Sequence, residues 1–277
     1  MTTLHWVPAQ SATPRGVALV IHGLNVRPNV MQPLADCLAA AGVECLLLSL
    51  HGHGDNVAPP PGQSAATDSA AARLEAFRRV SYALWRDETV AAYAIARAHS
   101  RRLDAPLLLA GFSLGALMGC TLALTEPDVR FDRLILPAPA LALRPHSRLP
   151  RLLARWPRFV IPSLSPPVYR ANRGTPVAAY MALYAALARF GRGDLRRLDA
   201  PALVLIDPAD ELASYAGLAR LRDRLPLWTL CPVAKSAGAA HQVHHLIIDA
   251  PSVGQAAWTD MCARITAFVQ EPSSPRR

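Results

Sequence analysis

Short apolar runs of strand length alternate with stretches of helical periodicity along most of the chain. Runs that are apolar at nearly every position are typical of strands buried on both faces, and their alternation with helices is typical of a mainly parallel sheet. We therefore predict an α/β fold in which helices flank a mainly parallel sheet. The predicted strands are Thr3–Pro8 at an edge, Gly16–Ile21, Val43–Leu48, Ala105–Ala110, Phe131–Leu136, Ala202–Ile206 and Leu227–Cys231. The predicted helices around them are Val30–Ala41, Ala70–Val80, Trp85–Ser100, Ala116–Leu124 and Val253–Gln270.

Residues 139–197 interrupt this alternation. The segment is rich in proline and arginine and then helical over Thr175–Arg189, where Tyr180 and Tyr184 are spaced for one helix face. It is too long for an ordinary connection between a strand and a helix. We predict a helical lid inserted after the sixth strand, over the carboxyl ends of the strands where ligands bind in open α/β sheets. The domains are then a core of residues 1–138 and 198–277 and a lid of residues 139–197; the alternative is a structural subdomain with no gating role.

Gly111-Phe112-Ser113-Leu114-Gly115 carries the strongest chemical signal of the chain, because it joins a buried strand to a helix. A serine with glycine two residues before and after it, at such a junction, is the pattern of a nucleophile elbow. The turn is tight enough to strain the serine backbone and to exclude side chains at both flanks. Ser113 is therefore the predicted nucleophile, placed at a helix N-terminus that favours developing negative charge.

A serine nucleophile needs a base to take its proton and an acid to orient that base. The acid is expected after strand Ala202–Ile206, where Asp210 lies four residues beyond the strand and is the first choice. Asp207, at the strand end, is the second choice and otherwise a turn or cap residue. Glu211 is expected to begin the next helix. The base is expected after the last strand, in a loop that offers His241, His244 and His245.

The oxyanion of an acyl-transfer intermediate needs two N–H donors. We predict that they are the backbone N–H groups of Leu114, directly after the nucleophile, and of Leu24, in the loop after strand Gly16–Ile21. His22 in this loop is interpreted as a bracing residue. His51 and His53 lie in a glycine loop with no cysteine or further histidine nearby in the sequence, so we interpret them as structural and predict no metal site.

The composition of the chain indicates where in the cell the protein is expected and which classes of partner it is expected to bind. The five cysteines show no C-x-x-C spacing and lie mostly in apolar runs, which indicates buried thiols in a reducing compartment, and we expect the cytoplasm. No apolar run is long enough to cross a membrane and no signal segment is evident at the start. The net charge is +9, yet Lys235 is the only lysine and no nucleic-acid module is recognisable. The arginine cluster is interpreted as a solvated helical face, the alternative being attraction of acidic substrates or of a membrane surface: Arg144, Arg148, Arg151, Arg155 and Arg158.

These motifs resemble the α/β-hydrolase superfamily over about residues 16–270, and most closely its small-cap carboxylesterases and monoglyceride-lipase-like members. The matching places are the oxyanion loop His22–Asn25, the loop His51–Asp55, the elbow Gly111–Gly115 and the acid loop with Asp210. The family's H-x-[IL]-x-x-[DE] pattern fits His244 with Leu246 and Asp249. The resemblance therefore favours His244 as the base over His245, although the doubled histidine departs from the pattern.

The resemblance implies a serine hydrolase that cleaves carboxylic esters through an acyl-enzyme on Ser113, with no cofactor. An apolar lid favours a small-molecule ester with an apolar acyl or alcohol group, as in a carboxylesterase or a monoacylglycerol-type lipase. Thioester hydrolysis and acyl transfer by the same triad are alternatives. A hypothesis of a different class is a non-catalytic protein that keeps the hydrolase fold and binds a small ligand.

Overall fold

A computed structural model describes residues 3–57 and 70–271. Most of the predicted loop Asn56–Ser64 lies outside these residues. The seven strands of the main sheet are β1 (Thr3–Val7), β2 (Gly16–Ile21), β3 (Val43–Ser49), β4 (Leu107–Gly111), β5 (Arg133–Pro137), β8 (Ala202–Ile206) and β9 (Trp228–Pro232). Their order across the sheet is β1-β3-β2-β4-β5-β8-β9.

All pairings in this sheet are parallel except that of β1, which runs antiparallel to β3 at the edge. The predicted mainly parallel α/β sheet is therefore confirmed. β2, β4, β5 and β8 are buried at every position, because helices cover both faces and no polar face is needed. Their carboxyl ends meet at one edge, so the loops that follow them come together there.

Helices flank both faces of the sheet. Two separate apolar clusters lie on its two sides, one containing Trp85 and Leu117 and the other containing Leu38 and Ile265. The helices of the first side are α2 (Ala70–Phe77), α3 (Tyr82–Arg102), α4 (Leu114–Thr125) and α5 (Val177–Arg192), and α6 (Tyr215–Arg222) contributes Leu218. Those of the second side are α1 (Gln32–Ala40), α7 (Ala250–Val253) and α8 (Gln255–Gln270), with a 3-10 turn at Pro28–Met31 before α1.

The inserted segment follows the fifth strand of the sheet in the described chain, not the sixth. It contains a 3-10 helix (Pro145–Leu153), the antiparallel pair β6 (Val160–Pro162) and β7 (Gly174–Pro176), the helix α5 and a short 3-10 turn (Leu195–Arg197). Its long helix, α5, packs against α3 and α4. Leu183 and Phe190 of α5 belong to the apolar cluster that contains Trp85 and Leu117. The segment therefore combines helix and strand, and part of it is continuous with the core.

Candidate active site

The turn between β4 and α4 has the geometry of a nucleophile elbow. Ser113 has φ 51° and ψ −109°, a combination that a non-glycine residue adopts only at a cost in strain. A Cβ added at Gly111 would lie 2.5 Å from Ala116 N, and one at Gly115 would lie 2.1 Å from the carbonyl oxygen of Ile21. Both glycines are thus required by close backbone contacts, as the sequence predicts.

Gly115→Ala is expected to lower the free energy of unfolding by about 3 kcal/mol or more, since its Cβ meets backbone that has no room to move. The measurement is urea-induced unfolding of the variant and of wild type. Gly191→Ala is the matched control, because a Cβ at this position in α5 meets nothing within 4 Å. In that helix the alanine is expected to be neutral or to stabilise by about 0.5–1 kcal/mol. Equal destabilisation by both substitutions contradicts this account of the elbow.

His245 is the histidine that contacts the elbow serine. Its Nε2 lies 2.8 Å from Ser113 Oγ, and its Nδ1 lies 2.8 Å from Asp210 Oδ2. The imidazole packs 5.3 Å from the ring of Phe112, centroid to centroid, and is buried. Hydroxyl, imidazole and carboxylate therefore form one continuous hydrogen-bonded chain away from solvent.

His244, the preferred base, does not contact Ser113, and that prediction is wrong. Its Nδ1 lies 2.7 Å from Asp207 Oδ2, and its side chain is 30% exposed against 8% for His245. The two residues occupy one turn after β9, where consecutive side chains point in different directions. The histidine that fits the superfamily pattern is therefore not the one that faces the serine in this chain; the next residue, His245, faces it.

His241, the third candidate, lies away from the serine. Its Nδ1 accepts the N–H of Val243 at 3.2 Å, and its ring packs edge-on against Tyr169 at 5.3 Å. Burial and the nearby Lys235 ammonium lower the pKa of this imidazole, so it is neutral near pH 7. His241 therefore shapes the histidine loop from outside the Ser113 contact.

The acid loop after β8 holds its two aspartates in different surroundings. Asp210 is fully buried, and its Oδ1 accepts the N–H groups of Leu212 (2.7 Å) and Ala213 (2.8 Å), which leaves Oδ2 facing His245. Asp207 Oδ1 accepts the N–H of Ala209 at 2.8 Å, a turn contact of the kind predicted for it. The structure therefore brings the first-choice aspartate to the histidine that contacts Ser113.

Glu211 has a position that the sequence reasoning missed. It lies in a turn before α6, not at the start of that helix as expected. One carboxylate oxygen accepts the N–H of His244 at 2.7 Å and the other accepts the N–H of His245 at 2.9 Å. A single side chain thus holds the backbone of both histidines, in the turn that carries His245 to Ser113.

Glu211→Gln is expected to lower kcat by about 10-fold to 100-fold with little change in KM, because a displaced imidazole loses its alignment with the serine. The amide presents only one acceptor oxygen to the two N–H groups, and a buried donor left without a partner costs about 1–3 kcal/mol of stability. Steady-state kinetics and thermal unfolding measure the two effects. Asp223→Asn is the control, because among residues 3–57 and 70–271 this exposed carboxylate pairs with its neighbour Arg222 alone. An unchanged kcat in Glu211→Gln would refute the positioning role.

The two predicted oxyanion donors lie at the ends of neighbouring strands. β2 and β4 pair with Ile21 opposite Gly111, so the loop with Leu24 and the turn with Leu114 emerge side by side. Gly23 and Gly115 permit the approach, since added Cβ atoms would lie 2.7 Å from the Phe112 ring and 2.1 Å from the Ile21 carbonyl oxygen. Within the described residues, neither the Leu24 N–H nor the Leu114 N–H donates to the backbone or to a side chain. Both are available to a substrate oxygen.

Buried histidines brace the oxyanion loop. His22 Nε2 accepts the N–H of Leu50 at 3.1 Å, while its Nδ1 lies 2.8 Å from the Gly23 carbonyl oxygen, which requires the tautomer protonated at Nδ1. His53 Nε2 accepts the N–H of Asn25 at 3.0 Å. These contacts tie the loop after β2 to the loop after β3, in agreement with the bracing interpretation of His22.

Acid is expected to destabilise the fold through these imidazoles. Burial lowers the pKa of His22 to about 4 and holds the pKa of His53 well below its ordinary value. The unfolded chain takes up these protons near pH 6.5, so the stabilisation is complete above that pH and is lost as the pH falls towards 4. The shift at His22 corresponds to about 3 kcal/mol.

Urea unfolding at pH 7 and at pH 4.5 measures this loss. In His22→Gln the drop in unfolding free energy between the two pH values is expected to be smaller than in wild type, whatever the stability of the variant at pH 7. Equal drops in the two proteins contradict the assignment of His22 as a buried neutral imidazole.

The predicted structural loop His51–Asp55 is held by protein groups. The His51 N–H donates to Glu88 Oε2 at 2.8 Å, and Asn56 Nδ2 donates to Glu88 Oε1 at 2.8 Å. The indole of Trp85 donates to the His51 carbonyl oxygen at 3.1 Å. Over residues 3–57 and 70–271, no group of three His, Cys, Asp or Glu side chains is placed to hold a metal ion.

The inserted segment is bound to the loops of the site on both sides. On one side Leu143 forms a bridge with Ala213 of the acid loop, and Ser147 Oγ donates to the Leu212 carbonyl oxygen at 3.1 Å. On the other side the Asn25 side chain accepts the backbone N–H of Asn172 at 2.8 Å and donates to its carbonyl oxygen at 3.1 Å. The Asn25–Asn172 pair is a second contact that sequence reasoning missed. Displacement of the inserted segment would therefore also move the loops that carry Leu24 and Asp210.

This combination of sheet topology, strained serine turn and later acid and histidine loops is the architecture of an α/β-hydrolase. A family model described as serine aminopeptidase, S33, matches residues 12–189, which is more than half of the chain. The chain belongs to this hydrolase family. A search among curated proteins finds no match.

Solved structures of lipases and esterases have the same fold. A monoglyceride lipase from Saccharomyces cerevisiae in complex with a substrate analog has a TM-score of 0.75 at 14% identity, over 98% of this chain and 92% of that chain. A structure described with LipS and LipT, two metagenome-derived lipolytic enzymes, has a TM-score of 0.70 at 20% identity over 97% of both chains. A monoacylglycerol lipase from Paleococcus ferrophilus has a TM-score of 0.64 at 19% identity, over 97% and 98%. In the described part of this chain, no helix is long and apolar enough to span a membrane.

Proposed function

We propose that this protein is a serine hydrolase that cleaves carboxylic esters, of the carboxylesterase or monoacylglycerol-lipase type. The observation that carries the proposal is the unbroken chain from Ser113 Oγ through the His245 ring to Asp210, with both contacts at 2.8 Å. Geometry of this kind activates a serine hydroxyl for attack on a carbonyl. The lipases and esterases among the solved structures of the same fold support ester substrates.

The proposed reaction proceeds through an acyl-enzyme. His245 takes the proton of Ser113 as Oγ attacks the ester carbonyl, and the N–H groups of Leu24 and Leu114 stabilise the oxyanion. The imidazolium, stabilised by Asp210, then protonates the leaving alcohol, which departs as the tetrahedral intermediate collapses. His245 next takes a proton from water as the water oxygen attacks the acyl-enzyme. The imidazolium then returns this proton to Ser113 Oγ as the second tetrahedral intermediate collapses and releases the acid.

The charge of the inserted segment favours a neutral ester over a peptide with a free N-terminus. An ammonium group is bound by carboxylates, and repulsion by arginine disfavours it. The sequence contains no Asp or Glu between Asp132 and Asp194, a stretch that includes residues 139–193 of the insertion. Although the matching family model is described as serine aminopeptidase, S33, the one acidic residue of the insertion is Asp194, and its carboxylate pairs with Arg196 at 2.8 Å.

The five cysteines are unpaired, four of them buried, and this supports the proposal of a reducing compartment such as the cytoplasm. A small-molecule ester with an apolar acyl or alcohol group remains the proposed substrate. No cofactor enters the proposed reaction, because each proton transfer in it is assigned to a side chain of this chain.

The test is a substrate panel of p-nitrophenyl esters of graded acyl length, monoacylglycerols, acyl thioesters and amino-acid p-nitroanilides, assayed with wild type and Ser113→Ala. Turnover of the esters by wild type, loss of that turnover in Ser113→Ala, and anilide turnover at least about 100-fold lower are expected. Faster turnover of thioesters would favour the thioesterase alternative. A folded wild type that turns over none of the substrates would favour the non-catalytic binding protein.

A further inference from the structure

A repeated pair of residues marks the first half of the inserted segment. Each of four arginines is followed directly by a large apolar residue, and the pairs are spaced by three, four and three residues. The first two pairs lie in the 3-10 helix Pro145–Leu153 and the last two in the turns that follow it. We call this set the arginine–apolar stripe; it consists of Arg148-Leu149, Arg151-Leu152, Arg155-Trp156 and Arg158-Phe159. Neither the proposed triad nor the oxyanion loop uses any of these residues.

The apolar members of the stripe face solvent. Leu149 is 60% exposed, Leu152 78%, Trp156 58% and Phe159 54%, and the 3-10 helix Pro145–Leu153 has no buried residue. Six of the ten exposed large apolar side chains of the described chain fall between residues 149 and 168, where Leu164 is 95% exposed. Single exposed apolar residues are normal, but a concentration of this kind marks a surface that binds another molecule or a membrane.

The cationic members of the stripe are exposed beside them. In residues 3–57 and 70–271, Arg148 and Arg155 form no ion pair, while Arg158 contacts Glu75 at 2.9 Å. Arg151 lies over the ring of Tyr184, 4.6 Å from its centroid. Since no acidic residue occurs between Asp132 and Asp194, the segment itself offers nothing to neutralise these guanidinium groups.

We propose that the arginine–apolar stripe docks this protein on a bilayer that contains anionic lipids. A bilayer interface can bind both the apolar residues and the arginines of the stripe. The apolar side chains enter the boundary of the acyl chains, and the guanidinium groups bind lipid phosphates. Tryptophan, which carries one polar group on an apolar ring, is favoured at this depth. Leucine side chains have no comparable site on a nucleic acid, and a second copy of this chain would set arginine against arginine on a protein of net charge +9.

The stripe adjoins the acid loop of the proposed active site. Ser147, directly before the first pair, donates to the carbonyl oxygen of Leu212, two residues after Asp210. Leu212 is itself 44% exposed and extends the apolar surface towards the loop. If the proposed function is correct, docking brings the mouth of the site to a reservoir of lipophilic esters; the docking itself does not depend on that function.

Cosedimentation with vesicles tests the docking. The full chain carrying Ser113→Ala, which keeps the stripe intact and does not digest lipid, is mixed with vesicles of phosphatidylcholine alone or with 30% phosphatidylglycerol. Binding is expected only to the anionic vesicles and is expected to weaken as salt is raised. A blue shift of tryptophan fluorescence on binding is expected, and it is expected to shrink in Trp156→Phe.

Paired variants assign the binding to the stripe. Arg148→Gln/Arg155→Gln is expected to lower the partition coefficient about 25-fold, since each arginine near an anionic surface contributes about five-fold. Arg101→Gln/Arg224→Gln removes the same charge from exposed positions shortly before the amino ends of β4 and β9, and it is expected to have little effect on binding. Leu152→Ser/Trp156→Ser is expected to reduce binding at least 10-fold, whereas Leu227→Ser, at a residue 51% exposed, is not.

The proposal is overturned if Ser113→Ala fails to bind the anionic vesicles, if the control variants lose as much binding as the stripe variants, or if single-stranded DNA binds the stripe and vesicles do not. A dimer in solution that is broken by Leu152→Ser/Trp156→Ser would also overturn it in favour of self-association. None of these readouts requires ester hydrolysis, so failure of the proposed function and failure of the docking are distinguished.

Discussion

His245→Ala is expected to lower kcat/KM for a p-nitrophenyl ester by about 10⁴-fold or more, whereas His244→Ala is expected to stay within about 10-fold of wild type. The reason is that the His245 ring joins the Ser113 hydroxyl to the Asp210 carboxylate. The His244 ring instead contacts Asp207 and stays partly exposed. The measurement is steady-state turnover of the two purified variants beside wild type.

The two variants control for one another. Each removes one imidazole from the same turn, and each leaves the backbone N–H that Glu211 accepts, so both are expected to fold alike. Circular dichroism and thermal unfolding check this. A near wild-type rate in His245→Ala together with a large loss in His244→Ala would reverse the assignment.

Asp210→Asn is expected to lower kcat by about 10⁴-fold, the size of effect known when an asparagine holds a triad histidine in the wrong tautomer. Because Oδ1 of this residue accepts two backbone N–H groups, the asparagine oxygen is retained there and its NH₂ group turns towards His245 Nδ1. The imidazole then carries its proton on Nε2, facing Ser113, and has no lone pair with which to take the serine proton.

Asp207→Asn is the matched control for this substitution. Its side chain holds a turn N–H and the His244 ring, so about a 10-fold loss or less is expected. The pH dependence of kcat separates the cases further, since a histidine in the wrong tautomer regains activity only when a different base takes over at high pH. Comparable losses in the two variants would contradict the division of roles between the aspartates.

The elbow and the strands around it were predictable because their signals are local. The glycines at 111 and 115 are required by backbone contacts within 3 Å, and the apolar runs are buried on both faces of the sheet. Asp210 was also predictable, since the distance of four residues from the strand end leaves room for the turn back over the sheet.

The choice between His244 and His245 could not be made from the local sequence. The two residues are adjacent, and the register of their turn is set by Glu211, Asp207 and Asp210, which lie more than 30 positions earlier in the sequence. The residue pattern fits His244 alone, and it contains no information about these distant contacts. The one signal available in the sequence was Glu211, which directly follows Asp210. A carboxylate at this position is near enough to accept backbone N–H groups of the histidine loop.

The packing of the inserted segment was not predictable from the sequence. Its length and its proline and arginine content marked it, yet the pairing of β6 with β7 and the burial of α5 against α3 and α4 depend on contacts with distant residues. The Asn25–Asn172 pair joins positions 147 residues apart, so no periodicity in the sequence indicates it. The division of the chain into core and lid remains a prediction.

Labelling with a fluorophosphonate probe tests the central claim, the activation of one hydroxyl by His245, most directly. The probe is reacted with wild type, His244→Ala and His245→Ala, and the modified peptide is identified by mass spectrometry. Rapid labelling of Ser113 in wild type and His244→Ala, with labelling slowed at least about 10³-fold in His245→Ala, is the expected result. Absence of label from Ser113 in folded wild type, or undiminished labelling in His245→Ala, would contradict the claim.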